Sequence, residues 1–125
     1  MLELQFTPLP YRNGHEGGLV PSIEDFKKME FKIAEIETVA PHPNADRLYV
    51  LGVKVGDLRK TIVAGIRAYY SEEELRGKKV VIVNNLDPAV IRGVESQGML
   101  LAASTPESLT LVVPERPIDD GALVK

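Results

Sequence analysis

Between Leu48 and Ala64 the chain reads LYVLGVKVGDLRKTIVA, two β-branched runs of near-alternating polarity on either side of Gly56-Asp57. A period of two is that of a strand with one buried face, and Gly-Asp between two such runs is a tight-turn signal. The segment therefore predicts a hairpin, Leu48 to Val55 and Arg59 to Ala64. A lone hairpin is not stable in water, because nothing covers its apolar face. The rest of the chain has to supply that cover, and most of what it supplies is more strand.

Phe31, Ile33, Ile36 and Val39 precede the hairpin as one long strand, with a bulge expected near Glu35, and PHPNAD (Pro41 to Asp46) ends it. After the hairpin, Lys78 to Asn84 carries Val80-Val81-Ile82-Val83, the run of a strand buried on both faces or nearly so; Gly98 to Ala103 reads as a fifth strand. Two short helices punctuate the series. Ser22 caps the first with Asp25 three residues on, and Ser71 caps the second with Glu74 at the capping-box position and Gly77 at its end. Three strands, a helix and two strands is the order of the five-stranded oligonucleotide/oligosaccharide-binding (OB) barrel. The expected fold is all-β: a five-stranded OB-fold barrel with a short helix between strands 3 and 4, an N-terminal helix and a C-terminal extension. A fragment of a Greek-key sandwich has similar strand spacing. Along the 125 residues, 1–21 read as a Pro- and Gly-rich arm, 22–104 as the barrel domain, and 105–125 as an extension with one more apolar run, Leu109 to Val113.

The chain has no cysteine, which excludes disulfides, thiol catalysis and thiolate metal sites. Its histidines are His15, in the arm, and His42, between two prolines, where a solvated or capping role is expected. Asp46 with His42 makes a poor metal pair, and Asn44 and Asp46 are better used bonding local backbone amides. HExxH, a Gly-rich phosphate loop and GxSxG are all missing. The expectation is a protein that is not an enzyme and has no metal or cofactor. No apolar run nears the roughly 20 residues that span a bilayer, and the first residues lack a signal peptide's basic region. A cytoplasmic location with no membrane partner is therefore expected.

Binding is what the remaining groups can do. The net charge is −3, but from His42 to Ser104 there are nine basic against seven acidic residues, the one net-positive part of the chain. In an OB barrel the usual ligand face is made by strands two and three with the loops joining strands one to two and four to five. Here those loops are PHPNADR and NLDPAVIRGVESQG. They offer Asn44 and Arg47, and Asn85, Arg92, Ser96 and Gln97; Lys54, Arg59 and Lys60 lie on the hairpin beside them. Amides read the edges of unpaired bases, and arginine stacks or holds phosphate. The competing use is structural: Arg92-Gly93 as a tight turn with a salt bridge to Glu95, and Asn85 and Ser96 bonded within their own loop. Tyr49, Tyr69 and Tyr70 are the nearby aromatic residues, and partial burial in the core is expected of them.

Three blocks carry a resemblance: DFKKMEFKIAEIETVAPHPNADRLYVLGVKVG, IVAGIRAYYSEEELRGKKVVIVNNL and IRGVESQGMLLAAS. They resemble the tRNA-binding OB domain family, from Asp25 to about Ser104 and more loosely from Leu109 to Lys125. That family includes the C-terminal appendix of many methionyl-tRNA synthetases, small free-standing homodimeric tRNA-binding proteins, and the endothelial-monocyte-activating polypeptide module. The resemblance implies a non-catalytic domain that binds tRNA by shape and phosphate contacts, free-standing or beside an aminoacyl-tRNA synthetase. It also implies a homodimer whose interface uses the N-terminal helix and the C-terminal extension. The family commonly reads NLKP followed by basic residues before the Arg-Gly; here Asp87, Ala89 and Val90 occupy those positions. An anion near phosphate repels, so weaker tRNA binding is expected. The alternative is a chaperone-like or protein-interaction homodimer on the same scaffold. Met99 is expected in the core beneath the loop.

Overall fold

The longest strand organises the sheet. The computed structural model describes residues 20–125, so His15 and the arm up to residue 19 lie outside the described residues. Helix α1 (Ile23–Lys28) leads into β1 (Phe31–Pro41). The C-terminal part of β1 pairs antiparallel with β2 (Tyr49–Val55), which continues into β3 (Leu58–Ala64). A one-turn helix, α2 (Glu72–Leu75), follows, and β4 (Lys79–Val83) returns to pair with the N-terminal part of β1. Both helices form reciprocal capping boxes, Ser22 with Asp25 and Ser71 with Glu74.

The bulge on β1 follows from its apolar spacing. Ala34 and Ile36 are two residues apart and both buried; Val39, the next buried residue, is three further on. With a period of two, Ile36 and Val39 share a face only if one residue is inserted between them. The register shift lies between Ile36 and Thr38, at Glu37, two residues beyond the expected place. Ile36, Leu51, Val53, Ile62, Val80 and Ile82 then form the fully buried centre, and Leu75 of α2 enters it. Each such side chain contributes roughly 1.5–3 kcal/mol relative to exposure.

The second half of the chain is more broken than its sequence suggests. The loop after β4 contains a small hairpin, β5 (Ala89–Ile91) and β6 (Val94–Ser96). The expected fifth strand divides at Leu101 into β7 (Met99–Leu100), which pairs with β4, and β8 (Ala102–Ser104), which turns away to pair with β9 (Leu109–Leu111). Only one of two successive strand residues can face inward. Leu100, opposite Ile82, takes the core, and Met99 is 42% exposed. The expectation of Met99 in the core is thereby corrected. The chain ends on β10 (Leu123–Val124), added beside the start of β1.

The strand order is β3-β2-β1-β4-β7, with β10 beside β1, in one curled sheet rather than half a sandwich. Its two ends meet at a seam. Gln97 N donates to Thr61 O at 2.7 Å, Thr61 N donates to Gln97 Oε1 at 2.8 Å, and Val63 N donates to Ser96 Oγ at 3.0 Å. Gly98, just past the seam, lets the chain enter β7 close against β4, since a Cβ there would sit 2.9 Å from Val83 O. Among the described residues no helix is long and apolar enough to cross a membrane.

Candidate functional site

The loop joining β1 to β2 and the β5–β6 hairpin touch, and His42 is where they join. His42 is 4% exposed, so of the two roles expected of it, solvated or capping, the capping one is found. Its Nδ1 accepts the amide proton of Asn44 at 2.9 Å, and its Nε2 lies 2.9 Å from Ile91 O. Because a carbonyl can only accept, the two bonds together place the ring proton on Nε2. Asn44 extends the junction: its Nδ2 donates to Arg92 O at 3.2 Å, and Arg92 Nη2 donates to Asn44 O at 3.0 Å. Arg92 and Gly93 form the tight turn, both in the left-handed region, at φ 53° and 92°. This turn favours Asn-Gly; an arginine at its first position costs roughly 1–3 kcal/mol of strain.

Asn44, Asp46, Arg47, Leu48 and Arg92 surround an open concavity of about 420 Å³. Arg47 and Arg92 are exposed, and neither forms an ion pair with the described residues. A guanidinium carries five donors, so Arg92 keeps most of its fork after its bond to Asn44. The site offers two cations and an amide against one carboxylate, Asp46.

The other six sequence-predicted residues stand elsewhere, with their polar atoms engaged. Ser96, 3% exposed, accepts from Val63 N and donates to Gly98 O, and Gln97 serves the same seam. Asn85 Oδ1 accepts from Glu30 N and its Nδ2 donates to Lys28 O, each at 2.7 Å, which ties down the end of α1. Lys60 Nζ donates to Asn84 O at 2.8 Å. Lys54 and Arg59 are cross-strand neighbours, but each has a carboxylate. Arg59 makes a two-pronged pair with Glu37, at 2.9 and 3.3 Å, a bond that holds its guanidinium even more firmly protonated. Lys54 Nζ lies 3.1 Å from Asp120 Oδ1, which also accepts from Gly56 N at 2.7 Å. A continuous strip of unpaired cations from Arg47 to Arg59 is therefore not formed.

Sequence reasoning gave Asp120 no such role, and for His42 it offered the capping of a turn but not the bond to the hairpin. Asp120 has no local signal, since its partners lie more than sixty residues away. For His42 a signal existed: a ring nitrogen can bond an amide two residues on, as an Asx side chain does. The Glu95 salt bridge considered for Arg92 is replaced by the bond to Asn44. Among the tyrosines, Tyr49 is buried and donates to Tyr70 O, Tyr70 Oη accepts from Leu111 N, and Tyr69 is exposed. Asp87 is exposed, beyond the end of β4.

A protein-family model described as "Putative tRNA binding domain" matches residues 31–123. The chain belongs to this family. A methionine–tRNA ligase of Nanoarchaeum equitans is 46% identical over 110 residues, which cover 88% of this chain and 14% of the ligase. The chain thus spans about a seventh of the length of that relative. Among solved structures, the MetRS-related protein of Pyrococcus horikoshii superposes with a TM-score of 0.79 at 34% identity, covering 85% of this chain and 98% of that one. The CsaA chaperone protein of Picrophilus torridus superposes at 0.78 with 27% identity, over 85% and 100%. The superposed parts span nearly all of those two chains.

Proposed function

We propose that this domain binds tRNA without acting on it, through phosphate and loop contacts at the concavity between the β1–β2 loop and the β5–β6 hairpin. The observation that carries the reading is the pairing of family membership with two exposed arginines, Arg47 and Arg92, around one concavity and without an ion pair among the described residues. Asn44, Arg47 and Arg92 are the contacts in this reading. Ser96, Gln97 and Asn85 hold the elements that present them, and Lys54, Arg59 and Lys60 act through their ion pairs and backbone bonds. Asp87 lies in the loop that carries the hairpin and lowers affinity. The ligase relatives support association with an aminoacyl-tRNA synthetase, with a cytoplasmic location to match.

A homodimer belongs to the same reading. Phe26, Met29 and Leu123 are exposed and line a groove of about 360 Å³ where α1 meets β10. A second copy would cover that groove, with the C-terminal extension at the interface. The chaperone-like alternative is not favoured: the likeness to CsaA is one of scaffold, whereas the family model is one of tRNA binding.

Mobility shift with bulk tRNA over a salt series tests the proposal. Binding at low salt that weakens steeply as salt rises is expected, because each phosphate contact releases counterions. Absence of a shift at low salt would sink it.

A further inference from the structure

The concavity is built from two segments that are far apart in sequence, and neither is rigid alone. The β1–β2 loop is a short run of turns, closed by His42 N donating to Leu48 O and Leu48 N donating to Ala45 O. The β5–β6 hairpin has three residues in each strand; Ser96 holds its base to β3, but Val90 at its centre is 73% exposed, so little packing holds the end that carries Arg92. A two-stranded hairpin of this length is not stable by itself. Its last outward stretch also ends in the strained Arg92.

We propose that His42 is a positioning residue for RNA binding: one imidazole locks the β1–β2 loop to the hairpin, so that Arg47 and Arg92 face one ligand from fixed places. This rests on the reading of the concavity as the RNA site. The ring is suited to the task because it bonds both segments at once, accepting from Asn44 N at Nδ1 and donating to Ile91 O at Nε2. Ile91 immediately precedes Arg92, so the second bond fixes the backbone from which the arginine departs. The reciprocal bonds between Asn44 and Arg92 complete a ring of contacts closed on both segments. Burial keeps water from competing for either nitrogen. Held this way, the backbones that carry the two arginines lose little freedom when a phosphate arrives, which is how fixed geometry raises affinity without a new contact.

The two nitrogens can be separated by substitution. In His42→Asn the amide reaches the Nδ1 position and keeps the bond to Asn44 N, but it stops short of Ile91. In His42→Gln the amide nitrogen reaches the Nε2 position. The full chain is used, with bulk tRNA as probe. His42→Asn is expected to bind about tenfold more weakly, the size of one lost hydrogen bond. Amides of Val94 and Gly93 are expected to exchange faster in that variant, and His42→Gln is expected to recover most of both effects. Wild-type affinity in His42→Asn, or a His42→Gln variant no better than His42→Asn, overturns the proposal. A long-range 1H–15N spectrum of the wild-type ring needs no variant to fold: a proton on Nδ1 instead of Nε2 also overturns it. If the wild-type chain does not bind tRNA, the functional reading fails, while hairpin exchange and the ring spectrum still judge the lock.

Discussion

Ser96 places a side-chain hydroxyl opposite the backbone amide of Val63, where a continuous sheet would place a carbonyl. The same hydroxyl donates to Gly98 O. A buried serine thus stands in for a rung of the ladder at the point where the sheet's two ends meet, and with Gln97 it turns an open sheet toward a barrel.

Ser96→Ala therefore tests seam against contact. It leaves a buried N–H at Val63 without a partner, which costs about 1–3 kcal/mol. Chemical denaturation should show that loss, and tRNA affinity measured well below the melting temperature should be close to wild type. Unchanged stability with weakened binding would return Ser96 to the RNA face.

Arg92→Asn should move stability and binding in opposite directions. Asparagine tolerates the left-handed conformation that Arg92 is held in, so relief of strain should leave the variant equal to wild type or up to about 1 kcal/mol more stable. Loss of the guanidinium should weaken tRNA binding and reduce the salt slope by about one. A parallel loss of both would mean that Arg92 works mainly through its bond to Asn44.

Asp87→Lys should strengthen tRNA binding and steepen its salt dependence by about one ion, since an exposed anion becomes an exposed cation. Titrations at two salt concentrations suffice. An unchanged slope would place the loop after β4 away from the RNA.

Asp120 gives a pH signature. Burial pushes its carboxyl up, but the Gly56 amide and the Lys54 ammonium outweigh burial and hold it below the usual aspartate value. A depressed value in the folded chain means stabilisation that is complete above the unfolded value, about 3.9, and is lost as pH falls through the folded one. Asp120→Ala should be less stable by about 1–3 kcal/mol near neutral pH. That gap should narrow below about pH 4. A gap that persists at pH 2 would assign the effect to packing rather than to charge.

Phe26→Glu with Leu123→Glu should yield a monomer by sedimentation, if the groove between α1 and β10 is the homodimer interface. Each carboxylate would have to be buried unpaired in the assembly, and the isolated barrel keeps its core. A wild-type chain that sediments as a monomer at micromolar concentration would remove the dimer from the reading.

The sequence by itself determined the elements up to β4 and their order. A strand's period, a capping box and a Gly-Asp turn are set by residues two to four apart, so β1 to β4, both helices and the β2–β3 hairpin were legible from the residues alone. The odd spacing of Ile36 and Val39 even encodes the bulge, read two positions early. The tertiary structure decided which polar groups are free. Lys54, Arg59, Lys60 and His42 meet partners 66, 22, 24 and 49 residues away. Ser96 and Gln97 looked like loop groups because the strand they close against, β3, is over thirty residues upstream. An ionic or hydrogen-bond partner that the fold brings in from elsewhere leaves no local pattern. The type of a side chain therefore states what it can bond, and only the fold states whether that capacity is already used.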